Sequence, residues 1–229
     1  MKRKSFIKTG IIGFGSLIAS PALLSACSKS DDDSSSGSST CKSTPKEIAG
    51  PFPIKSPADM VKSNIIGDRE GIPLVIRFII QDTNNNCEIV EGVSVDVWQC
   101  DAHGNYSEYN NQQEGDFTTK HFLRGRQVTD TNGEATFVSI YPGWYPGRAP
   151  HLHVEIKDAQ NKSLLITQIA FPEDISSQVY TSEKYTGDFD TSNSSDGSFS
   201  NSLSRNIADS VAGDNNSGYT LMKIIKVSI

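Results

Sequence analysis

The apolar positions of this chain recur with the short periods of β-strands. Leu74 to Ile80 reads Leu-Val-Ile-Arg-Phe-Ile-Ile, a β-branched apolar run. Val93 to Cys100 alternates with period two, which sets Val93, Val95 and Val97 on one face of a strand. Residues 128–138 read as strand, Asp-Thr-Asn-Gly turn, strand. Leu152–Ile156 and Leu164–Phe171 are two more strands, and Tyr219–Val227 is the last. Turns fall at Asp82–Asn86 and Asp101–Asn105. Helical periodicity is thin, with a turn or two over 174–185 and another over 203–212. Residues 187–201, rich in Ser, Asp, Asn and Gly, form a long loop. Short strands with frequent turn signals predict an all-β fold, a β-sandwich of mostly antiparallel strands with few short helical turns.

The N-terminus has a different pattern. Lys2, Arg3, Lys4 and Lys8 precede an apolar run from Gly10 to Leu24, which ends in Leu24-Ser25-Ala26-Cys27. A basic head, a short apolar middle and small residues at a cut form a secretory signal. The run is short for a membrane span of about 20 apolar residues. The Leu-Ser-Ala-Cys ending resembles the bacterial lipobox, which implies cleavage before Cys27 and a lipid on that thiol. The segment Arg3–Lys8 also resembles a twin-arginine signal with Lys4 in the place of the second Arg. The Ser- and Asp-rich stretch after Cys27 has nothing to bury, although a Lys followed by acidic residues there also resembles a lipoprotein surface-export signal. The expected organisation is a signal peptide over 1–26, a flexible tether over 27–46 and one β domain over 47–229. The expected location is the bacterial cell envelope, with the protein anchored to membrane and facing the periplasm or the surface.

The net charge is −6, and loss of the signal makes it more negative. An acidic chain argues against nucleic acid, whose affinity is dominated by basic contacts to phosphate. Cys41, Cys87 and Cys100 remain after the lipid site. An oxidising compartment predicts one disulfide and one free thiol, with all three pairings open. No Cys-x-x-Cys spacing suggests a zinc site.

Candidate chemistry concentrates in residues 141–153, Tyr-Pro-Gly-Trp-Tyr-Pro-Gly-Arg-Ala-Pro-His-Leu-His. His151 and His153 are two apart, so on a strand both imidazoles share one face. Neutral imidazole is the commonest protein metal ligand. His103 and His121 lack this context and read as turn and surface residues. Trp98 reads as core, and Trp144 as core or pocket wall.

Set in order, a longer series of motifs resembles the intradiol ring-cleavage dioxygenases, the catechol- and protocatechuate-dioxygenase-like enzymes. The pieces are Gly50-Pro51-Phe52, Val95 to Ser107, Phe122-Leu-Arg-Gly125, Thr129-Asp-x-x-Gly133, Pro142 to Arg148, His151-Leu-His153 and Thr167-Gln168. The resemblance implies non-haem ferric iron, Fe(3+), and O2-dependent cleavage of a catechol between its hydroxyl-bearing carbons, giving a cis,cis-muconate type diacid. It implies two tyrosinate and two histidine ligands. By motif these are Tyr106, Tyr145 rather than Tyr141, His151 and His153, with Tyr145 and His151 axial and Tyr106 and His153 equatorial. Tyr145 is then displaced by substrate and takes one of its protons, Arg148 stabilises negative charge building on the ring, and Gln168 orients the bound diol. Two Tyr with two His also differ from zinc sites of His, Cys and carboxylate, and from the two-His, one-carboxylate Fe(II) sites.

The expected partners are a small aromatic diol and O2, with the membrane held through Cys27. The chain departs from the family pattern between Tyr145 and Arg148, where only Pro146 and Gly147 intervene. That short link predicts a more open pocket. The alternative reading is a surface lipoprotein that binds catecholic or phenolic ligands without cleaving them.

Overall fold

The structure is a computed structural model that describes residues 41–229. The expected signal peptide and most of the expected tether lie outside these residues. Nine strands run in chain order as β1 Pro73–Asp82, β2 Glu88–Ile89, β3 Ser94–Trp98, β4 Arg124–Val128, β5 Glu134–Ile140, β6 His151–Lys157, β7 Ser163–Ala170, β8 Ser210–Asp214 and β9 Gly218–Val227. Two short helices, α1 Glu173–Val179 and α2 Leu203–Asn206, precede β8. One sheet has the order β2-β1-β9-β8, with β5 also pairing β1, and the other the order β4-β3-β6-β7. Every pairing is antiparallel except that of β1 with β9.

The core lies between the sheets. Leu74, Ile76, Phe78 and Ile80 of β1 meet Val95 and Val97 of β3 and Leu152, Val154 and Ile156 of β6, all fully buried. Val93 joins them, as the alternation predicts. Because side chains alternate across a strand, the other face of the second sheet carries Asp96, Trp98, His151 and His153. Arg126 donates from two nitrogens to the Asp96 carboxylate on this face, and Lys157 lies 3.5 Å from the same group.

The structure corrects three expectations. The turn at 130–133 does not close a hairpin, because β4 belongs to one sheet and β5 to the other. Its local chemistry is nonetheless as read, with the Asp130 carboxylate accepting from the Asn132 and Glu134 backbone amides. Over 203–212 only a single turn is helical, and β8 follows it as an edge strand. The chain also joins the sandwich before residue 47. Thr44 is buried, with its amide donating to Lys226 and its hydroxyl accepting from the Lys226 amide, each at 2.9 Å. The disulfide joins Cys41 to Cys87 and leaves Cys100 free and buried. Composition made residues 41–46 look like spacer, whereas edge hydrogen bonds and a covalent link, neither visible in composition, hold them to the domain.

Candidate functional site

The outer face of the second sheet becomes a site where loops cover it. Trp98, His153 and Gln168 stand in one row across β3, β6 and β7, by register. The Trp98 indole lies flat on the His153 ring, with centroids 5.1 Å apart and planes within 3°. Ala49, Phe52, Ile54 and Tyr145 pack over Trp98, Cys100 and Tyr106, forming a small apolar cluster apart from the main core.

Tyr106, Tyr145, His151 and His153 converge here. The Tyr106 ring centroid is 5.8 Å from Tyr145 and 6.1 Å from His153. Tyr145 is 5.8 Å from His151, and the two imidazoles are 4.7 Å apart. Their Nε2 atoms approach to 3.0 Å. Tyr141 lies elsewhere, inside the main core, sharing a 2.9 Å hydrogen bond with Ser176. His103 and His121 have half-exposed rings, the latter 2.9 Å from Glu108.

The four groups differ in how burial and neighbours set their protonation. The Nδ1 of His151 is 2.6 Å from the Ala149 carbonyl. A carbonyl can only accept, so Nδ1 carries the proton and Nε2 presents its lone pair. Burial, helped by the nearby Arg148 charge, holds His151 below the usual imidazole range. Burial and the neighbouring His151 likewise hold His153 well below the usual range. Both imidazoles are therefore neutral. The Tyr106 hydroxyl is buried with no hydrogen-bond partner. Burial pushes its pKa well above the phenol range, and the nearby Cys100 and Tyr145 add to this. Burial also raises Tyr145, opposed by Arg148. A buried phenol without a partner is costly unless a further group completes it. Among the described residues no group of three His, Cys, Asp or Glu is placed to hold a metal. Only with the phenols does a four-donor set exist.

Gly50 shows how closely the cover fits. Its φ is +71°, and a Cβ there would come within 2.7 Å of His153 Cε1. Arg124, fully buried, donates to the Phe52 carbonyl at 2.8 Å and to the Ser107 hydroxyl at 2.8 Å. It thereby ties the covering loop to the residue after Tyr106.

Arg148 and Gln168 also reach the site. Arg148 Nη1 donates to the Tyr145 hydroxyl at 3.1 Å, and its Nη2 donates to the Gln168 side-chain carbonyl. The Gln168 amide nitrogen donates to the Ile48 carbonyl at 2.8 Å. Gln168 thus meets the centre through Arg148. The sequence reading missed Asp196, which accepts from Arg148 Nε at 2.8 Å. It lies in the Ser- and Asn-rich loop, where no motif marks it. The stacking role of Trp98 was missed for a different reason, since it follows from register across two strands.

A family model described as Dioxygenase matches residues 48–195. The chain is 30% identical over 125 residues to the protocatechuate 3,4-dioxygenase beta chain of Burkholderia cepacia, which covers 51% of this chain and 52% of that one. It is 30% identical over 146 residues to a hydroxyquinol 1,2-dioxygenase of Rhizobium sp. (strain MTP-10005), at 56% and 47% coverage. The chain thus spans about half the length of these relatives. Among solved structures, an intradiol ring-cleavage dioxygenase from Tetranychus urticae superposes with a TM-score of 0.73 at 30% identity, covering 82% of this chain and 95% of that one. The described sandwich, the motif series along β3 to β7 and these matches place the chain in the intradiol ring-cleavage dioxygenase family.

Proposed function

We propose that the protein cleaves a catechol-type aromatic diol in an O2-dependent intradiol reaction, with ferric iron held by Tyr106, Tyr145, His151 and His153. The observation that carries this reading is the partnerless Tyr106 hydroxyl, buried beside a second phenol and two neutral imidazoles whose Nε2 atoms are 3.0 Å apart. Hard ferric iron suits phenolate oxygens. A bound cation lowers the pKa of groups that it contacts, which offsets the upward push of burial on both tyrosines.

Bound iron would supply the positive charge on which a diol binds as its dianion. The chain's own residues do the rest. Tyr145 is half-buried and borders the exposed Pro146 and Gly147, so of the two phenols it is the one free to move. Its oxygen takes a proton from the incoming diol, and Arg148 Nη1 stays within reach of that oxygen. The same guanidinium faces the ring and stabilises negative charge that builds there. Phe52 and Ile54, partly buried over Tyr106 and Trp98, put apolar surface beside the centre. His151, fixed by Ala149, and His153, fixed by Trp98, hold their ring planes throughout. The product of the reaction is a cis,cis-muconate type diacid.

The lipobox-like ending at Cys27 supports a location in the bacterial envelope, anchored by lipid. Among the described residues no helix is long and apolar enough to cross a membrane.

The test is an absorption spectrum of the iron-loaded protein, mixed anaerobically with catechol and then exposed to oxygen. A visible tyrosinate-to-iron band that shifts on catechol addition, followed by O2 uptake and diacid formation, is expected. A protein that stays colourless after ferric loading would overturn the metal centre. A shifting band without O2 uptake would favour a catechol-binding protein instead.

A further inference from the structure

We propose that Asp196 is a positioning residue that sets the direction of Arg148 at the centre. The inference deepens the proposed function and rests on it. Asp196 is fully buried and just past the end of the family match at 195. Its Oδ2 accepts from Arg148 Nε at 2.8 Å and from the Ala149 amide at 2.9 Å. Its Oδ1 accepts from the Ser198 amide at 2.8 Å. A buried carboxylate is costly unless paired and hydrogen-bonded, and these three donors meet that cost.

The consequence follows from the shape of guanidinium, a rigid planar fork. Asp196 holds Nε, and Gln168 holds Nη2. A planar fork held at Nε and Nη2 has little freedom to turn, which keeps Nη1 directed at the Tyr145 hydroxyl. The same carboxylate oxygen anchors Ala149, whose carbonyl fixes the proton on His151 Nδ1. One side chain therefore registers two members of the centre. The rest of the loop runs alongside the same segment. Gly187 accepts from the Trp144 indole at 2.9 Å, Asp190 accepts from the Gly147 amide at 3.2 Å, and the Phe199 ring is 6.2 Å from His151. The loop is held to the sandwich in turn, since Asn193 donates to the Phe171 carbonyl at 2.8 Å. A polar stretch that composition reads as slack is a brace, with Asp196 at its working point.

The experiment compares wild type, Asp196→Asn, Asp196→Glu, Arg148→Ala and the Asp196→Asn/Arg148→Ala double variant. The first readout needs no iron. The Arg148 Nε–H resonance, assigned by its loss in Arg148→Lys, is expected to be protected from solvent exchange in wild type and to lose protection in Asp196→Asn. The second is kcat with catechol. Asp196→Asn is expected to lose about tenfold to a hundredfold, the range for a slight misplacement of a working group, while iron content stays that of wild type. Asp196→Glu, which keeps the charge, is expected to fall in between. In the Arg148→Ala background Asp196→Asn is expected to cost far less than in wild type, because residues acting as one unit are not additive, and the small remainder reports the Ala149 contact. Unchanged Nε–H protection in Asp196→Asn, or losses that multiply in the double variant, would overturn the proposal. If the iron-loaded wild type consumes no oxygen, the proposed function fails and the resonance alone decides the brace.

Discussion

The Trp98 indole stacks on the His153 imidazole, 5.1 Å apart and nearly parallel, across a directly opposed pair of β3 and β6. The stack sets the plane in which His153 offers Nε2. Gly50 comes close to the same ring, with no room for a side chain. The ring of His153, a proposed ligand, is thus set by an aromatic neighbour and a bare backbone.

Gly50→Ala should therefore disturb the centre. The added methyl meets His153 at 2.7 Å, and φ of +71° is strained for any residue with a Cβ. Iron stoichiometry and visible absorbance should both fall well below wild type, by at least about tenfold in affinity, the lower range for loss of a group that orients a ligand. Metal analysis after dialysis against a graded chelator checks this.

Tyr106→Phe and Tyr141→Phe form a paired test of which phenols matter. Both residues are buried tyrosines. Loss of the Tyr106 hydroxyl should remove the visible band and the iron. Loss of the Tyr141 hydroxyl removes only a bond to Ser176, at about 0.5–1.5 kcal/mol of stability, and should leave the colour intact. A colourless Tyr141→Phe alongside a coloured Tyr106→Phe would reverse the assignment.

The disulfide between Cys41 and Cys87 spans 46 residues of sequence. Closing a loop of that size in the unfolded chain is worth about 2–4 kcal/mol. Reductant, or Cys87→Ser, should lower Tm, and denaturant unfolding should show a loss of that size.

Glu134 reports on acid stability. Hydrogen bonding from Arg77 holds its carboxyl below the usual range, with Thr136 adding to this. The pair joins β1 to β5 at 2.6 Å. A depressed folded pKa gives stability that is present above the unfolded value of about 4.3 and lost as pH falls through the folded one. Arg77 is solvent-exposed, so water and salt screen the pair and its contribution is small. Glu134→Gln should be slightly less stable than wild type at pH 7. The two should converge below about pH 4, which thermal melts across that window would show.

Much of the architecture was legible in sequence because it depends on local pattern. Alternation at Val93, Val95 and Val97 set a buried strand face, and the two-residue spacing of His151 and His153 put both imidazoles on one side. Resemblance to the family's motifs picked out Tyr106 and Tyr145, and the structure brings both phenols to that side. What local pattern could not decide was partnership between distant segments. The turn at 130–133 has hairpin chemistry, yet sheet membership is settled by the core, which draws β5 to β1 and β4 to β3. β8 is short, exposed and polar, so only the free edge of β9 makes it a strand.

The sequence by itself determined the strands of the sandwich and the shared face of His151 and His153, because strand parity is a property of single residues and their near neighbours. Tertiary structure decided that Cys41 pairs with Cys87, that Trp98 orients His153, and that Asp196 reaches Arg148. Each joins positions more than forty residues apart, and a contact of that kind exists only once the packing of the sheets has fixed the distances.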